Sequence, residues 1–214
     1  MLKIATILPY KENYSKKKAA AASLWVYDFF RHSSLRKNNY IFGTTNEKDY
    51  LSDNYINIKI KGSKLTSTTN QYCNELIKKI DGKKFDLVEI HNRPLVFNIL
   101  KDKLDSNFII YFHNDPLSMK GSKSSEERIN LLNKVEKIIF VSEWVQKRFF
   151  IDLDKRLINK TEVVYPSIHK QNRLIKKEKK IVFVGKLNTS KGYDLYRDAI
   201  IKILNEFQEW KAYS

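Results

Sequence analysis

A single cysteine, Cys73, stands in 214 residues, so no intramolecular disulfide can form and no cysteine-rich zinc site can be assembled. That usage fits a reducing compartment. Long apolar runs are missing too. The first, residues 4–8, is cut by Pro9, is shorter than a secretory apolar core and lacks a small-residue cleavage site. Nowhere do about 18 apolar residues follow one another, the length that a membrane-crossing helix needs. The expectation is a cytoplasmic protein without a leader. The six glycines never form Gly-x-Gly-x-x-Gly after a strand, and no P-loop occurs, which argues against an ordinary dinucleotide site and a P-loop NTPase. His91 and His113 are the nearest approach to a metal pair. No cysteine or closely spaced carboxylate joins them, so no metal site and no cofactor is expected.

Acidic residues are also scarce relative to basic ones: 24 Asp and Glu against 40 Lys and Arg, a formal charge of +16. A basic surface concentrates anions, whether nucleic acid, anionic lipid headgroups or phosphorylated substrates. Compositional drift toward lysine explains the same excess. No DNA- or RNA-binding motif accompanies the charge, so nucleic acid is an unfavoured partner.

What is present is a 42% hydrophobic, 13% aromatic chain able to bury a core. Short β-branched or aromatic runs alternate with longer helical patterns, the signature of βαβ units and a parallel sheet. Strands are expected over 3–8, 40–44, 55–60, 85–91, 108–113, 137–142, 161–165 and 180–185. Runs such as Ile138-Ile139-Phe140-Val141 lack alternation, as strands covered on both faces do. Helices are expected over 19–30, 68–80, 124–133, 143–150 and 193–210. Tyr72, Leu76 and Ile80 make one stripe, and Ser142 stands as an N-cap ahead of Glu143.

The fold class is therefore α/β, with a doubly wound, Rossmann-like parallel-sheet domain over 1–168. Residues 169–180 are polar, strongly basic and without apolar period, and read as an interdomain linker. Residues 181–214 supply a fresh strand, loop and helix, the first β-α unit of a second Rossmann-like domain. A lone β-α unit cannot bury both faces of its strand, so this part reads as incomplete.

In an open parallel sheet, ligands bind outside the carboxyl ends of the strands. The loop after the first strand carries Lys11, Lys16, Lys17 and Lys18 ahead of a helix, either an anion site or a solvated charge run. His91-Asn92-Arg93-Pro94 follows the fourth strand. Arg93 offers a planar fork matched to phosphate or carboxylate, Asn92 both donates and accepts, and Pro94 opens the next helix; alternatively, Asn92 and Arg93 only cap a turn. His113, at the end of the fifth strand, can hydrogen-bond a ligand from either ring nitrogen or serve structure alone. The loop Gly185-Lys186-Leu187-Asn188-Thr189-Ser190-Lys191-Gly192 turns at Gly185 and sets two lysines about a helix entry, which suits a diphosphate.

The order of these segments is more specific than any one of them. From Phe85-Asp86-Leu87-Val88-Glu89-Ile90-His91-Asn92-Arg93-Pro94 through Tyr111-Phe112-His113-Asn114-Asp115-Pro116 and Val163-Val164-Tyr165-Pro166 to Val182-Phe183-Val184-Gly185-Lys186 and Lys191-Gly192, the chain resembles the family-4 (group 1) glycosyltransferases of the GT-B fold. The resemblance implies a retaining, metal-independent enzyme that moves a sugar from a nucleotide-diphosphate donor to a glycan or glycolipid acceptor. A cell-envelope glycan or lipopolysaccharide-type acceptor is expected, with peripheral contact to the inner membrane. It implies that Gly185, Lys186 and Lys191 grip the donor diphosphate, that His113 is the catalytic-side histidine facing the transferred sugar, and that Asn92, Arg93 and Lys16 lie on the acceptor side. Lys186 stands where the family usually has arginine, and the first loop lacks the family's glycines. The paired glutamates of the family's second domain have no counterpart in the 214 residues, which implies a truncated, incomplete active site. Two other readings follow from the residues: a non-catalytic partner whose open strand pairs with another chain, and an anion- or nucleic-acid-binding module resting on charge.

Overall fold

The fold was established from a computed structural model that describes residues 2–60, 62, 66–167 and 176–214. The chain forms two compact units, Met1–Ile168 and His169–Ser214. The first is built on a seven-stranded, wholly parallel sheet. Its strands are β1 (Ile4–Ile7), β2 (Asn39–Gly43), β3 (Tyr55–Asn57), β4 (Leu87–His91), β5 (Asn107–Phe112), β6 (Lys137–Phe140) and β7 (Thr161–Val163). They lie in the order β3-β2-β1-β4-β5-β6-β7. This is the Rossmann-like α/β arrangement that the alternating runs predict.

Handedness explains where the helices go. The chain winds outward from β1 to β3, then returns past β1 to β4 and continues to β7. Right-handed crossovers therefore place α1 (Ala21–His32) on one face. They place α2 (Thr68–Ile80), α3 (Pro94–Leu100), α4 (Ser125–Lys134) and α5 (Glu143–Phe149) on the other. The larger core joins Tyr72, Leu76, Phe97, Leu131 and Phe149 to Ile7, Phe42, Ile110 and Phe140; the smaller gathers Trp25 and Val26 of α1 with Leu8, Ile41 and Tyr55. Both faces of β6 are covered, as Ile138, Ile139 and Phe140 are all buried.

Several helix starts follow their expected chemistry. Ser142 accepts from the Val145 amide at the head of α5, and Pro94 occupies the first turn of α3. Ser124 and Glu127 form a capping box at α4, so this helix begins at Ser125, one residue later than expected. Helix α1 also starts two residues late, after Ala20, whose side chain provides no cap.

The second unit corrects the reading of a lone strand and helix. Strand β8 (Lys180–Val182) leads through a loop into α6 (Tyr193–Glu206), and the last residues form β9 (Lys211–Tyr213), parallel to β8. Helix α6 therefore ends four residues short of the expected Trp210. A three-residue strand carries too little pattern to be read locally; its pairing with β8 creates it. Phe183 packs on Tyr193 and Tyr196, and the Tyr196 hydroxyl donates to the Tyr213 carbonyl at 3.0 Å. Of the expected linker, residues 169–175 lie outside the described residues, and Lys180 already belongs to β8.

Candidate active site

Strand β1 pairs with β2 on one side and β4 on the other, so the winding reverses between β1 and β4. Loops leaving a sheet at such a reversal diverge and leave a crevice at the carboxyl ends. A cleft of about 320 Å³ lies there. Tyr10 comes to it from the loop after β1, Asn92 and Arg93 from the loop after β4, Asn114 from the loop after β5, with Thr69 and Lys120 completing its polar wall.

Asn92 is buried and holds a left-handed backbone, φ +53°. Asparagine tolerates that conformation better than most residues. Its amide donates to the Tyr111 carbonyl at 2.8 Å, and its Oδ1 accepts from the amides of His113 (2.7 Å) and Asn114 (3.3 Å). Asn92 thus ties the end of β4 to the end of β5. It does more than cap its own turn.

His113 is half-buried, and one of its ring nitrogens, Nε2, lies 2.8 Å from His91 Nδ1. One of the two must donate and the other accept, so the tautomers of the pair are coupled. His91 stacks on Tyr111 with ring centres 4.6 Å apart, and Trp25 meets both imidazoles edge-on. Burial holds the His113 pKa down at about 4, and burial together with the His113 neighbour holds His91 well below the usual value. Both rings are therefore neutral at pH 7. Beneath them, Glu89 accepts from the Thr6 hydroxyl at 2.7 Å, and Thr6 also bonds Asn39. Burial raises the Glu89 pKa. No group of three or more potential metal ligands occurs among the described residues.

Arg93 lies over the Tyr10 ring, 5.2 Å from its centre, and donates one long hydrogen bond, 3.4 Å, to the Asn92 carbonyl. Lys16 does not line the cleft; its ammonium meets Asp49 at 3.1 Å, while Lys18 meets Glu47 at 3.2 Å. These exposed pairs, with the Ser15–Tyr50 bridge, fasten the loop after β1 to the segment after β2.

Three contributors escaped the sequence reading. Tyr10, Lys120 and Gly121 carry no local sequence signal of a site. Gly121 has φ +92°, and a Cβ there would lie 2.9 Å from the Leu95 amide nitrogen. The segment carrying Lys120 can reach the start of α3 only through glycine. Gly121→Ala is expected to destabilise the protein by about 2 kcal/mol or more, combining backbone strain with a backbone collision. A urea midpoint unchanged by this substitution would contradict that account.

In the second unit, residues Thr189–Lys191 form a 3₁₀ turn closed by Gly192, whose φ of +73° carries the chain into α6. A Cβ on Gly185 would lie 3.8 Å from that of Lys191, so the loop closes on itself and brings its two ends together. The left-handed residue of this loop is Gly192. Gly185 has ordinary backbone and room for a methyl group.

No family model matches the chain, and no curated protein matches it in sequence. Solved structures do. A sucrose-phosphate synthase from Thermosynechococcus elongatus superposes with a TM-score of 0.64 at 13% identity, over 95% of this chain and 60% of that one. A UDP-N-acetylglucosamine 2-epimerase superposes with a TM-score of 0.58 at 12% identity, over 99% of this chain and 62% of that one. The chain therefore spans about three fifths of each of these solved chains. The likeness shows a GT-B-like fold. Among the described residues, no helix is long and apolar enough to cross a membrane.

Proposed function

We propose that the chain is a glycosyltransferase of the family-4 type, with its acceptor side in the first unit and its donor-diphosphate grip in the second. The observation that carries this reading is the loop 185–192, closed on itself between β8 and the head of α6 within a β-α-β unit. Lys186 and Lys191 would neutralise a diphosphate leaving group as it gains charge, the point at which electrostatic stabilisation accelerates transfer most. Neutral His113, at the carboxyl end of β5, would hydrogen-bond the transferred sugar without adding charge. Asn92 and Arg93 would face the acceptor, an envelope glycan or lipopolysaccharide-type molecule. The reaction would retain anomeric configuration without a metal. A basic surface of +16 would favour anionic membranes, each nearby lysine adding about 1 kcal/mol.

A second reading, that this unit pairs with another chain, draws support from its open apolar surface: Val184 is 90% and Leu195 72% exposed.

Calorimetric titration tests the first reading. The chain is expected to bind UDP-glucose or GDP-mannose, with inorganic pyrophosphate competing, because the loop grips the diphosphate. Lys191→Ala should weaken binding about ten-fold, the loss of one charge-assisted contact. Absence of binding to every nucleotide sugar, or binding indifferent to Lys186→Ala and Lys191→Ala, would overturn it.

A further inference from the structure

The cleft at the switch point has an electrostatic peculiarity. Several cations of the first unit meet acids: Lys16 with Asp49, Lys101 with Asp102, Arg148 with Asp115. Arg93 pairs with no acid among the described residues. Its Nε is buried without a partner, and its guanidinium lies over the Tyr10 ring, 5.2 Å from the ring centre. A guanidinium held over an aromatic face keeps N–H groups able to donate. Among the described residues, neither aspartate nor glutamate lines this cleft, and the second cation on its wall, Lys120, is exposed and forms no ion pair. A partly buried charge lacking a counter-charge carries a desolvation cost that an incoming anion removes.

The rest of the wall is suited to something other than a bare ion. Thr69, Asn92 and Asn114 supply hydroxyl and amide groups of the kind that hydrogen-bond sugar hydroxyls, and Tyr10 supplies an apolar face. The volume, about 320 Å³, is near the lower end for small-molecule sites and matches one sugar ring with a charged substituent.

We infer that the acceptor is a saccharide bearing an anionic group, a phosphate or a carboxylate, seated on Arg93 and Lys120. This rests on the glycosyltransferase reading for its role as acceptor, but the binding site itself does not depend on the donor loop. Titration of the full chain with glucose 6-phosphate, glucuronate and glucose tests it, followed by nuclear magnetic resonance or calorimetry. Both anionic sugars should bind at least ten-fold more tightly than glucose, and the tighter of the two identifies the group. Lys120→Ala, an exposed change that leaves the fold intact, should weaken them several-fold, and Arg93→Ala about ten-fold. Arg93→Lys should recover part of that loss, since it restores charge without the fork. Lys191→Ala should leave these affinities unchanged, so failure of the donor reading is separable. Glucose binding as tightly as its phosphate, anion binding indifferent to Arg93 and Lys120, or anion binding lost in Lys191→Ala would each overturn the inference.

Discussion

Arg128→Met is expected to lower the stability of the first unit by about 3–5 kcal/mol, among the largest effects of any single substitution in this chain. Arg128 is only 2% exposed, buried on α4 beside the core residues Leu131 and Leu132. Its guanidinium donates to three backbone carbonyls: Lys123 and Ile151, each at 2.6 Å, and Ser122 at 3.3 Å. Removing the donors strands these oxygens in or near the interior, and a buried acceptor left unpaired costs about 1–3 kcal/mol. The carbonyls belong to two segments distant in sequence, one leading into α4 and the other following α5. The first of them contains Lys120 and Gly121, so the cleft wall should loosen as well. Arg128→Lys should rescue little, because one ammonium cannot span three carbonyls that a planar fork reaches. Urea unfolding measures this directly. A midpoint shift equivalent to less than 1 kcal/mol in Arg128→Met would show that water replaces the clamp.

Acidification should be nearly as costly. In the unfolded chain His113 takes up a proton near pH 6.5, whereas in the folded state burial delays this to about pH 4. The unfolded state therefore binds more protons across that interval, and stability falls as pH drops through it. A displacement of this size corresponds to roughly 3 kcal/mol by pH 4, fully retained above pH 6.5. His91, depressed by burial and by His113, adds to the loss in the same direction. Glu89 opposes both. Its pKa is raised by burial, so the folded state takes up that proton earlier and gains stability as pH falls through the folded value. Comparing wild type with His113→Phe reports His113 together with its coupling to His91, since Glu89 is common to both. Their difference in unfolding free energy should change between pH 7 and pH 4.5, with wild type losing more. A difference constant across that range would mean that the pair is already protonated or solvated in the folded state.

The outline of the first unit was legible because each strand carried its own signal. Residues 138–141 are an apolar run, residues 85–91 are rich in β-branched and aromatic residues, and Pro94 and Ser142 announce the helices that follow them. The positions of His91, Asn92, Arg93 and His113 at strand ends were legible for the same reason. Their partners were not. His91 and His113 are 22 residues apart, and their hydrogen bond exists only because β4 and β5 are adjacent and in register, His91 beside Tyr111. The contact of Arg93 with the Tyr10 ring joins loops separated by more than 80 residues, and nothing near either residue foretells it. Lys16 illustrates the converse. Its run of lysines allowed either an anion site or a solvated charge run, and the ion pair of Lys16 with Asp49, brought in from another loop, was not legible there.

The second unit shows the same division. The glycine and lysine pattern of residues 185–192 marked a loop of chemical interest; its left-handed residue is Gly192, and Gly185 lies against Lys191. Strand β9 has no pattern of its own and arises by pairing with β8.

By itself the sequence determined the α/β class, the end of β4 at His91 and the helix starts at Pro94 and after Ser142, because these depend on periodicity and on neighbours within a few residues. The tertiary structure decided which charges meet acids and which stay open, which histidine bonds which, and why Gly121 and Arg128 are indispensable to the cleft. Those outcomes depend on contacts that the packing of strands and loops creates between residues far apart in sequence.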